Sequence, residues 1–280
     1  MKSERRRFAI DFHVHTAHSF DSLTPPKLVI ETARRRGLDG VAITDHDTVR
    51  GALETMEMNK HNDFTVIPGV EVTSDRGDVI GLYVTEDIES RKFSDVVEEI
   101  HAKGGLVYLP HPIRTFGRDF STVHAENIPI DVWERYNGRY SESQFRRSDQ
   151  AFDALAIGAA LCGSDAHLPW EIGLLRTLLD DLPTDARSLL TLARSARLEA
   201  RARAEIPLRA GIALGEATKK LKRREYVSLA LLLAALPWKA ARRLSAQRRA
   251  TLSDRESSAA SKAPTDSAAG VPDEPGRLPR

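Results

Sequence analysis

The stretch Phe8-Ala9-Ile10-Asp11-Phe12-His13-Val14-His15 reads as a β-strand that ends in two imidazoles. Its alternation puts Phe8, Ile10, Phe12 and Val14 on one face and Ala9, Asp11, His13 and His15 on the other. In a β/α barrel the first face would meet the helices and the second the interior, so backbone geometry alone would carry both histidines to one side. Further apolar segments end in the same residue types: Thr44-Asp45-His46-Asp47, Gly69-Val70-Glu71-Val72, Pro110-His111-Pro112 and Gly163-Ser164-Asp165-Ala166-His167. A barrel delivers strand-end side chains to one shared face. Imidazoles and carboxylates gathered there are the donors of a multinuclear metal site, because imidazole suits Zn, Mn and Fe, and a bridging carboxylate offsets the charge of adjacent cations.

Outward from that first strand, the pattern predicts strands alternating with helices. Thr24-Pro25-Pro26 carries the signals of a helix start, with Thr24 as N-cap, and Gly37 ends that helix. Strands are expected over 41–44, 64–72, 79–84, 106–109, 130–133 and 159–163, and helices over 48–60, 93–103 and 144–157. Residues 73–77 read as a hairpin or tight loop, and residues 113–128, polar and without a period, as a surface loop near the site. The expected fold is α/β, a distorted seven-stranded (β/α)7 barrel over residues 1–180. Residues 181–252 are expected to form a helical basic extension, with helices over 186–204, 208–224 and 226–244, and residues 253–280 a disordered tail.

The whole chain carries 41 Lys+Arg against 40 Asp+Glu in 280 residues, so no global charge draws it to nucleic acid or membrane. The balance is uneven along the chain. Residues 1–196 hold 23 basic and 31 acidic side chains, residues 197–252 hold 14 and 4, and the last 28 hold 4 and 5. A single cysteine, Cys162, excludes an internal disulfide. Met1-Lys2-Ser3-Glu4-Arg5-Arg6-Arg7 offers no apolar signal segment before the first strand, so a cytoplasmic protein is expected. Residues 226–238 are the most apolar run, shorter than the roughly 20 residues a membrane span needs, and basic residues flank it from 219 to 243. Three readings stay open for this segment: packing on the barrel or on a second copy, peripheral contact with anionic lipid, or a surface facing nucleic acid.

Taken together, His13-x-His15 with Asp21 downstream, Thr44-Asp45-His46-Asp47, Gly69-x-Glu71, His111-Pro112 and Gly163-Ser164-Asp165-Ala166-His167 form an ordered set that resembles the PHP (polymerase and histidinol phosphatase) family, in its short branch of metal-dependent phosphoesterases. The likeness covers roughly residues 8–180. It implies a seven-stranded barrel with two or three divalent ions (Mn, Zn, Fe or Mg). His13, His15 and Asp165 would hold one, with Glu71 bridging to a second that His111 helps to hold, and Asp21, His46 and His167 would hold a third. Asp21, Glu71, His111 and Arg114 are the candidate catalytic residues. Asp11, Asp45 and Asp47 are expected to orient the ligating imidazoles, with an N-cap role equally open for Asp47.

One position departs from the family. Many relatives carry a ligating His on the hairpin after the Glu strand, where this chain has Asp78. As a ligand, Asp78 would harden the site towards Mn or Mg over Zn; the alternative is a solvated turn residue. Arg114 and Arg118, in the loop after His111, and Arg139 are the candidate substrate-binding residues, because planar guanidinium matches phosphate. Glu134-Arg135-Tyr136-Asn137-Gly138-Arg139 resembles the family's Glu-x-x-Asn-Gly-Arg segment, which implies Glu134 near the metals and Arg139 near substrate. The implied reaction is hydrolysis of a phosphate ester by a metal-activated water, on a small phosphomonoester, nucleotide or nucleoside bisphosphate. The alternatives are a 5′–3′ exonuclease on short RNA or DNA, and a weakly active metal-binding regulator tethered to a membrane or protein. His18, His61, His101 and His124 fall outside the set.

Overall fold

The computed structural model describes residues 6–117, 120–126 and 128–200, together with 217, 218, 221 and 222, with backbone alone at 122 and 123. All of them belong to one unit, Met1–Tyr226. Its strands are β1 (Phe8–Val14), β2 (Gly40–Ile43), β3 (Thr65–Ser74), β4 (Gly77–Leu82), β5 (Leu106–Leu109), β6 (Val132–Asn137), β7 (Ala160–Gly163), β8 (Leu175–Leu179) and β9 (Arg197–Ala200). The helices are α1 (Pro26–Arg35), α2 (Arg50–Met58), α3 (Phe93–Ala102), α4 (Pro112–Thr115), α5 (Phe120–Ala125), α6 (Glu142–Leu155) and α7 (Ala186–Ala193).

The sheet runs β7-β6-β5-β4-β3-β2-β1-β8-β9. Its β1–β2–β3 and β5–β6–β7 stretches are parallel, while β4 is antiparallel to both neighbours. Its two ends nearly meet. Val14 bridges Ala166, the His15 amide donates to the Ala166 carbonyl at 2.9 Å, and the Cys162 amide donates to Thr177 Oγ1 at 3.0 Å. The α/β barrel is therefore present, as a nearly closed sheet.

Nine strands among the described residues replace the expected seven. β8 pairs antiparallel with the first half of β1, and β9 with β8, so the sheet runs past residue 180. Helix α7 stops at Ala193 instead of continuing to 204. The Arg197-Leu198-Glu199-Ala200 segment is built of helix formers, and strand pairing has overridden that preference. The expected loop over 113–128 contains α4 and α5, both too short to show a helical period. α1 starts after Pro25, and the Thr24 hydroxyl is spent on the His167 carbonyl at 3.1 Å instead of capping the helix. The expected helices at 208–224 and 226–244 and the tail at 253–280 lie outside the described residues, apart from 217, 218, 221 and 222.

The facing of β1 also differs from simple alternation. Ile10 and Phe12 join the barrel-interior cluster with Ala42, Ile67, Ile80, Tyr108 and Leu161, while Ala9 and Val14 pack with Val29, Ile30 and Ala33 of α1. Asp11 pairs with Val41 and Val14 with Ile43, so β1 carries one extra residue between them. This bulge shifts the phase of the strand. It is what turns both His13 and His15 towards the interior, above the apolar layer that Phe12 helps to form.

Candidate metal centre

Each donor reaches the centre from a defined backbone position. His13 and His15 follow the β1 bulge, His46 follows β2 and bridges Glu71, and Glu71 lies within β3 opposite Ile80. His111, after β5, has φ 32°, and Asp165, after β7, has φ 52°. Both are non-glycine residues in the left-handed region, a strain of the kind that collects at functional sites. Gly163 is required beside them, because a Cβ there would lie 2.2 Å from the His13 Cβ. Hydroxyls tie the loops down. Ser22 donates to the His15 and His167 carbonyls at 3.2 and 2.9 Å, and Ser19 Oγ donates to Asp21 Oδ1 at 2.6 Å.

The imidazoles of His13, His15, His46, His111 and His167 all aim Nε2 at carboxylates. His13 Nε2 lies 3.1 Å from His15 Nε2 and 3.1 Å from Glu71 Oε2. His15 Nε2 lies 3.2 Å from the same Glu71 oxygen, and Asp165 Oδ1 stands 3.9 and 3.6 Å from the two nitrogens. Ligand bonds of roughly 2.0–2.2 Å to a tetrahedral ion give donor separations of about 3.4 Å, so these four residues fit one ion. The other Glu71 oxygen, Oε1, faces His111 Nε2 at 3.1 Å, with Asp78 Oδ2 3.9 Å from that nitrogen. Asp21 Oδ2 sits 2.8 Å from His167 Nε2 and 3.5 Å from His46 Nε2. His15, Asp21, His46 and His167 form one compact donor group, His13, His15 and Glu71 a second, and His46, Glu71 and Asp78 a third.

Electrostatics shows which sign of charge this basin favours. Burial works against charge on His13 and His15, yet the carboxylates outweigh it. Glu71, Asp165 and Glu134 hold the His13 pKa well above the ordinary imidazole value, and Asp165, Glu71 and Asp21 raise that of His15 to about 9. Burial likewise opposes ionised Glu71, but His46, His13 and His111 keep it well below the usual carboxylate range. Asp78 is raised by burial and by the like charge of Glu71. His167 is lowered to about 4 by burial and by the neighbouring charges of His15 and Arg139. The basin calls for positive charge, and protons on His13 and His15 supply it where cations do not.

The residues that orient the imidazoles differ from those expected. Asp11 accepts from Ser164 N and Oγ at 2.8 and 2.5 Å and from Gly173 N at 2.7 Å, locking β1 to the loops after β7. Asp45 accepts from Thr16 N and Oγ1 at 2.5 and 2.6 Å, and Asp47 accepts from Thr73 N at 3.1 Å; Val49, not Asp47, precedes α2 as its N-cap. None of the bonds to these three carboxylates touches an imidazole. Glu134 does instead, fully buried on β6. Its Oε1 accepts from His13 Nδ1 at 3.2 Å and Tyr108 Oη at 3.0 Å, and its Oε2 from the His111 amide at 2.6 Å and Asn137 Nδ2 at 2.8 Å. Thr115 Oγ1 lies 3.0 Å from His111 Nδ1, and the Asp165 carbonyl 2.9 Å from His167 Nδ1. Tyr108 and Thr115 gave no signal in the sequence, one reading as a strand apolar and the other as a loop hydroxyl.

The three candidate arginines separate. Arg114 has a side chain 41% exposed and touches Asp165 Oδ2 at 3.4 Å. Arg139 is 9% exposed and committed to the protein, with Nε 3.0 Å from the Asp165 carbonyl and Nη2 3.5 Å from Glu171 Oε2. It holds Asp165 in place, where a residue reaching out to substrate was expected. Arg118 lies outside the described residues. His18 pairs with Glu54 at 2.6 Å and His101 with Asp131 at 2.8 Å, and the His124 ring lies tilted against Trp133, all away from the centre.

Fold and donor set together define an α/β barrel protein arranged around a candidate polynuclear metal centre. Residues 11–156, over half of the 280, match the PHP domain, and the chain belongs to that family. An uncharacterized protein of Methanocaldococcus jannaschii is 35% identical over 113 residues, which are 36% of this chain and 66% of the relative, so the match spans just under two-thirds of that protein. Among solved structures, a two-domain Bacteroides vulgatus protein containing a predicted PHP-like metal-dependent phosphoesterase superposes with TM-score 0.58 at 18% identity, covering 70% of this chain and 65% of that one. A lesion-specific endonuclease of Pyrococcus furiosus superposes with TM-score 0.53 at 15% identity, covering 69% and 58%. At these identities the structural likeness speaks for the fold.

Proposed function

We propose that this chain is a metal-dependent phosphoesterase that hydrolyses a small phosphomonoester, nucleotide or nucleoside bisphosphate. The observation that carries the reading is the division of Glu71, whose Oε2 faces His13 and His15 while its Oε1 faces His111. One carboxylate so divided can serve two neighbouring cations, the arrangement that phosphoester hydrolysis uses. The donor chemistry fits: His13, His15 and Asp165 with Glu71 would hold one divalent ion, His111 and Asp78 with Glu71 a second, and Asp21, His46 and His167 a third. The mixture of imidazole and carboxylate admits Mn, Zn, Fe or Mg, and Asp78 favours the harder ions. When bound, such ions supply Lewis acidity towards phosphoryl oxygens and activate water near neutral pH.

The chain's own residues do the rest. Glu134 keeps a proton on His13 Nδ1 and so leaves the Nε2 lone pair for coordination. Arg139 fixes Asp165 through its backbone carbonyl. Arg114 is the guanidinium at the rim that can take a phosphate in a bidentate fork, since it is half exposed and engages the site through a single 3.4 Å contact. The test is an activity screen of metal-reconstituted protein on mononucleotides, nucleoside bisphosphates, sugar phosphates and short 5′-phosphorylated oligonucleotides. Chelator-sensitive release of phosphate from at least one small class is expected; no turnover with any divalent ion would overturn the reading.

A second reading, a 5′–3′ exonuclease on short RNA or DNA, draws on the 14 basic against 4 acidic side chains of residues 197–252. It requires turnover confined to the oligonucleotide arm, with an affinity that falls steeply as salt rises. Peripheral membrane contact through 219–243 remains an expectation on residues that, but for 221 and 222, lie outside those described. Among the described residues no helix is long and apolar enough to cross a membrane.

A further inference from the structure

Lys222 lies far along the chain from the barrel strands, in the basic region read from sequence as a flank of an apolar helix, yet its ammonium reaches the loop that carries Asp21. Its Nζ donates to the carbonyl oxygens of Ala17 at 2.8 Å, Ser19 at 2.6 Å and Ser22 at 2.7 Å. An ammonium has three N–H groups, and these three contacts use all of them. The acceptors come from one turn of chain, the segment between His15 and Thr24. That turn is closed by Ala17 N donating to the Thr24 carbonyl at 2.8 Å and Ser19 N donating to the Thr16 carbonyl at 3.0 Å. Ser19 and Ser22 are fully buried, and the Ser19 hydroxyl holds Asp21 Oδ1 at 2.6 Å. Three carbonyl oxygens converging on one cation are mutually repulsive without it, so the turn depends on the charge at their centre.

We propose that Lys222 is a positioning residue, a tethered cation that holds the Ala17–Ser22 turn closed and through it places Asp21 beside His46 and His167. Lys222, from beyond the last strand, then helps to build the site. The consequence for metal rests on the reading of Asp21 as a ligand; the consequence for the turn does not. A ring of carbonyl oxygens is also a cage for a free monovalent cation, which gives the proposal a signature that ordinary packing lacks.

The experiment uses the full chain in four forms: wild type, Lys222→Ala, Lys222→Gln and Asp21→Asn. Amide hydrogen exchange over residues 17–24 reports the turn, and Mn²⁺ stoichiometry and affinity, by competition with a chelator, report the site. Lys222→Ala should speed exchange of those amides at least tenfold and weaken one bound ion about tenfold, leaving the others unchanged. Added potassium or methylammonium should restore both, which a lost packing contact would not permit. If Lys222→Ala is too unstable to measure, Lys222→Gln, which keeps most of the stem and removes the charge, should show the same losses. Wild-type exchange over 17–24 in either variant overturns the proposal. If Asp21→Asn keeps every ion, the ligand reading of Asp21 fails, and the turn's exchange still decides what Lys222 does. If Asp21→Asn loses an ion while Lys222→Ala keeps all of them at wild-type affinity, the ligand reading stands and the positioning role falls.

Discussion

Replacing Glu134 with Gln removes a charge and one acceptor from the residue that orients His13. Either oxygen of Glu134 accepts two hydrogen bonds, Oε1 from His13 Nδ1 and Tyr108 Oη, Oε2 from the His111 amide and Asn137 Nδ2. The new NH₂ group must face one of these pairs. Turned towards the His111 amide and Asn137 Nδ2, it opposes two N–H donors, and an unsatisfied buried donor costs about 1–3 kcal/mol. Turned towards His13 and Tyr108, it meets groups that can both become acceptors, since a phenol oxygen and an imidazole nitrogen accept as well as donate. The second orientation costs less, so the glutamine should settle there. Its stability cost should then stay near 1 kcal/mol, the size of a single net hydrogen bond.

The functional cost should be larger. With Nδ1 now an acceptor, the His13 proton moves to Nε2, the atom 3.1 Å from Glu71 Oε2 that would have to give its lone pair to an ion. Loss of an orienting partner of this kind typically lowers metal affinity or activity 10–100-fold, about 1.4–2.7 kcal/mol. Two measurements on Glu134→Gln check this: chelator competition for the tightest ion, and long-range ¹H–¹⁵N spectra that identify the protonated His13 nitrogen in neutral imidazole. A variant that kept the proton on Nδ1 and bound metal like the wild type would refute the reasoning. So would a large loss of thermal stability with unchanged affinity, which would make Glu134 a scaffold residue.

His13→Ala and Asp165→Asn should each lose at least one bound ion and nearly all activity, while His61→Ala and His124→Ala should leave metal content, read by elemental analysis, unchanged. Asp78→Ala should lower stoichiometry and Asp78→His should shift preference towards Zn; unchanged binding in both would make Asp78 a turn residue. Because the metal-free pKa of His15 is raised to about 9 from 6.5, its contribution to metal-free stability is complete below pH 6.5 and is lost as pH rises through about 9, so the melting temperature of metal-free protein should fall across that window. The same proton must leave when an ion binds, so calorimetry at pH 7 in buffers of different ionisation enthalpy should register proton release, and its absence would contradict the raised value.

The ligand types were legible in the sequence because each sits beside a local signal: His-x-His on an alternating strand, Glu71 between valines, His111 between prolines, Asp165 after Gly163-Ser164. The barrel was legible for the same reason, through strands separated by helical spacing. What stayed hidden depends on partners distant in the chain. The β1 bulge exists only relative to the register of β2, and without it the alternation places His13 and His15 correctly but Ile10 and Phe12 on the wrong side. β9 consists of residues that favour helix, and only β8 makes it a strand. Asp11, Asp45 and Asp47 stood next to the ligands in sequence and attracted the orienting role, whereas Glu134, far from His13 along the chain, holds it. Lys222 could not have been linked to Asp21 by any local pattern.

The incomplete closure of the barrel and the charge of its centre are connected. At the far end of the barrel from the site, β8 lies along β1 and completes the ladder there. At the site end that place is taken by residues 164–166, held to β1 by one bridge, by the Asp11 carboxylate on Ser164 and by amides at 2.9 and 3.3 Å. The donors are shared across this same seam, with His13 and His15 on the β1 side and Asp165 and His167 on the other. An ion held by His13, His15 and Asp165 would therefore span the part of the sheet where main-chain pairing is thinnest, and would relieve the carboxylate surplus that otherwise raises the pKa of both histidines. Binding to the folded state alone adds stability that grows as the logarithm of one plus the ratio of ion concentration to Kd. In this architecture that added stability falls on the seam, so the ions that would serve chemistry also complete the barrel.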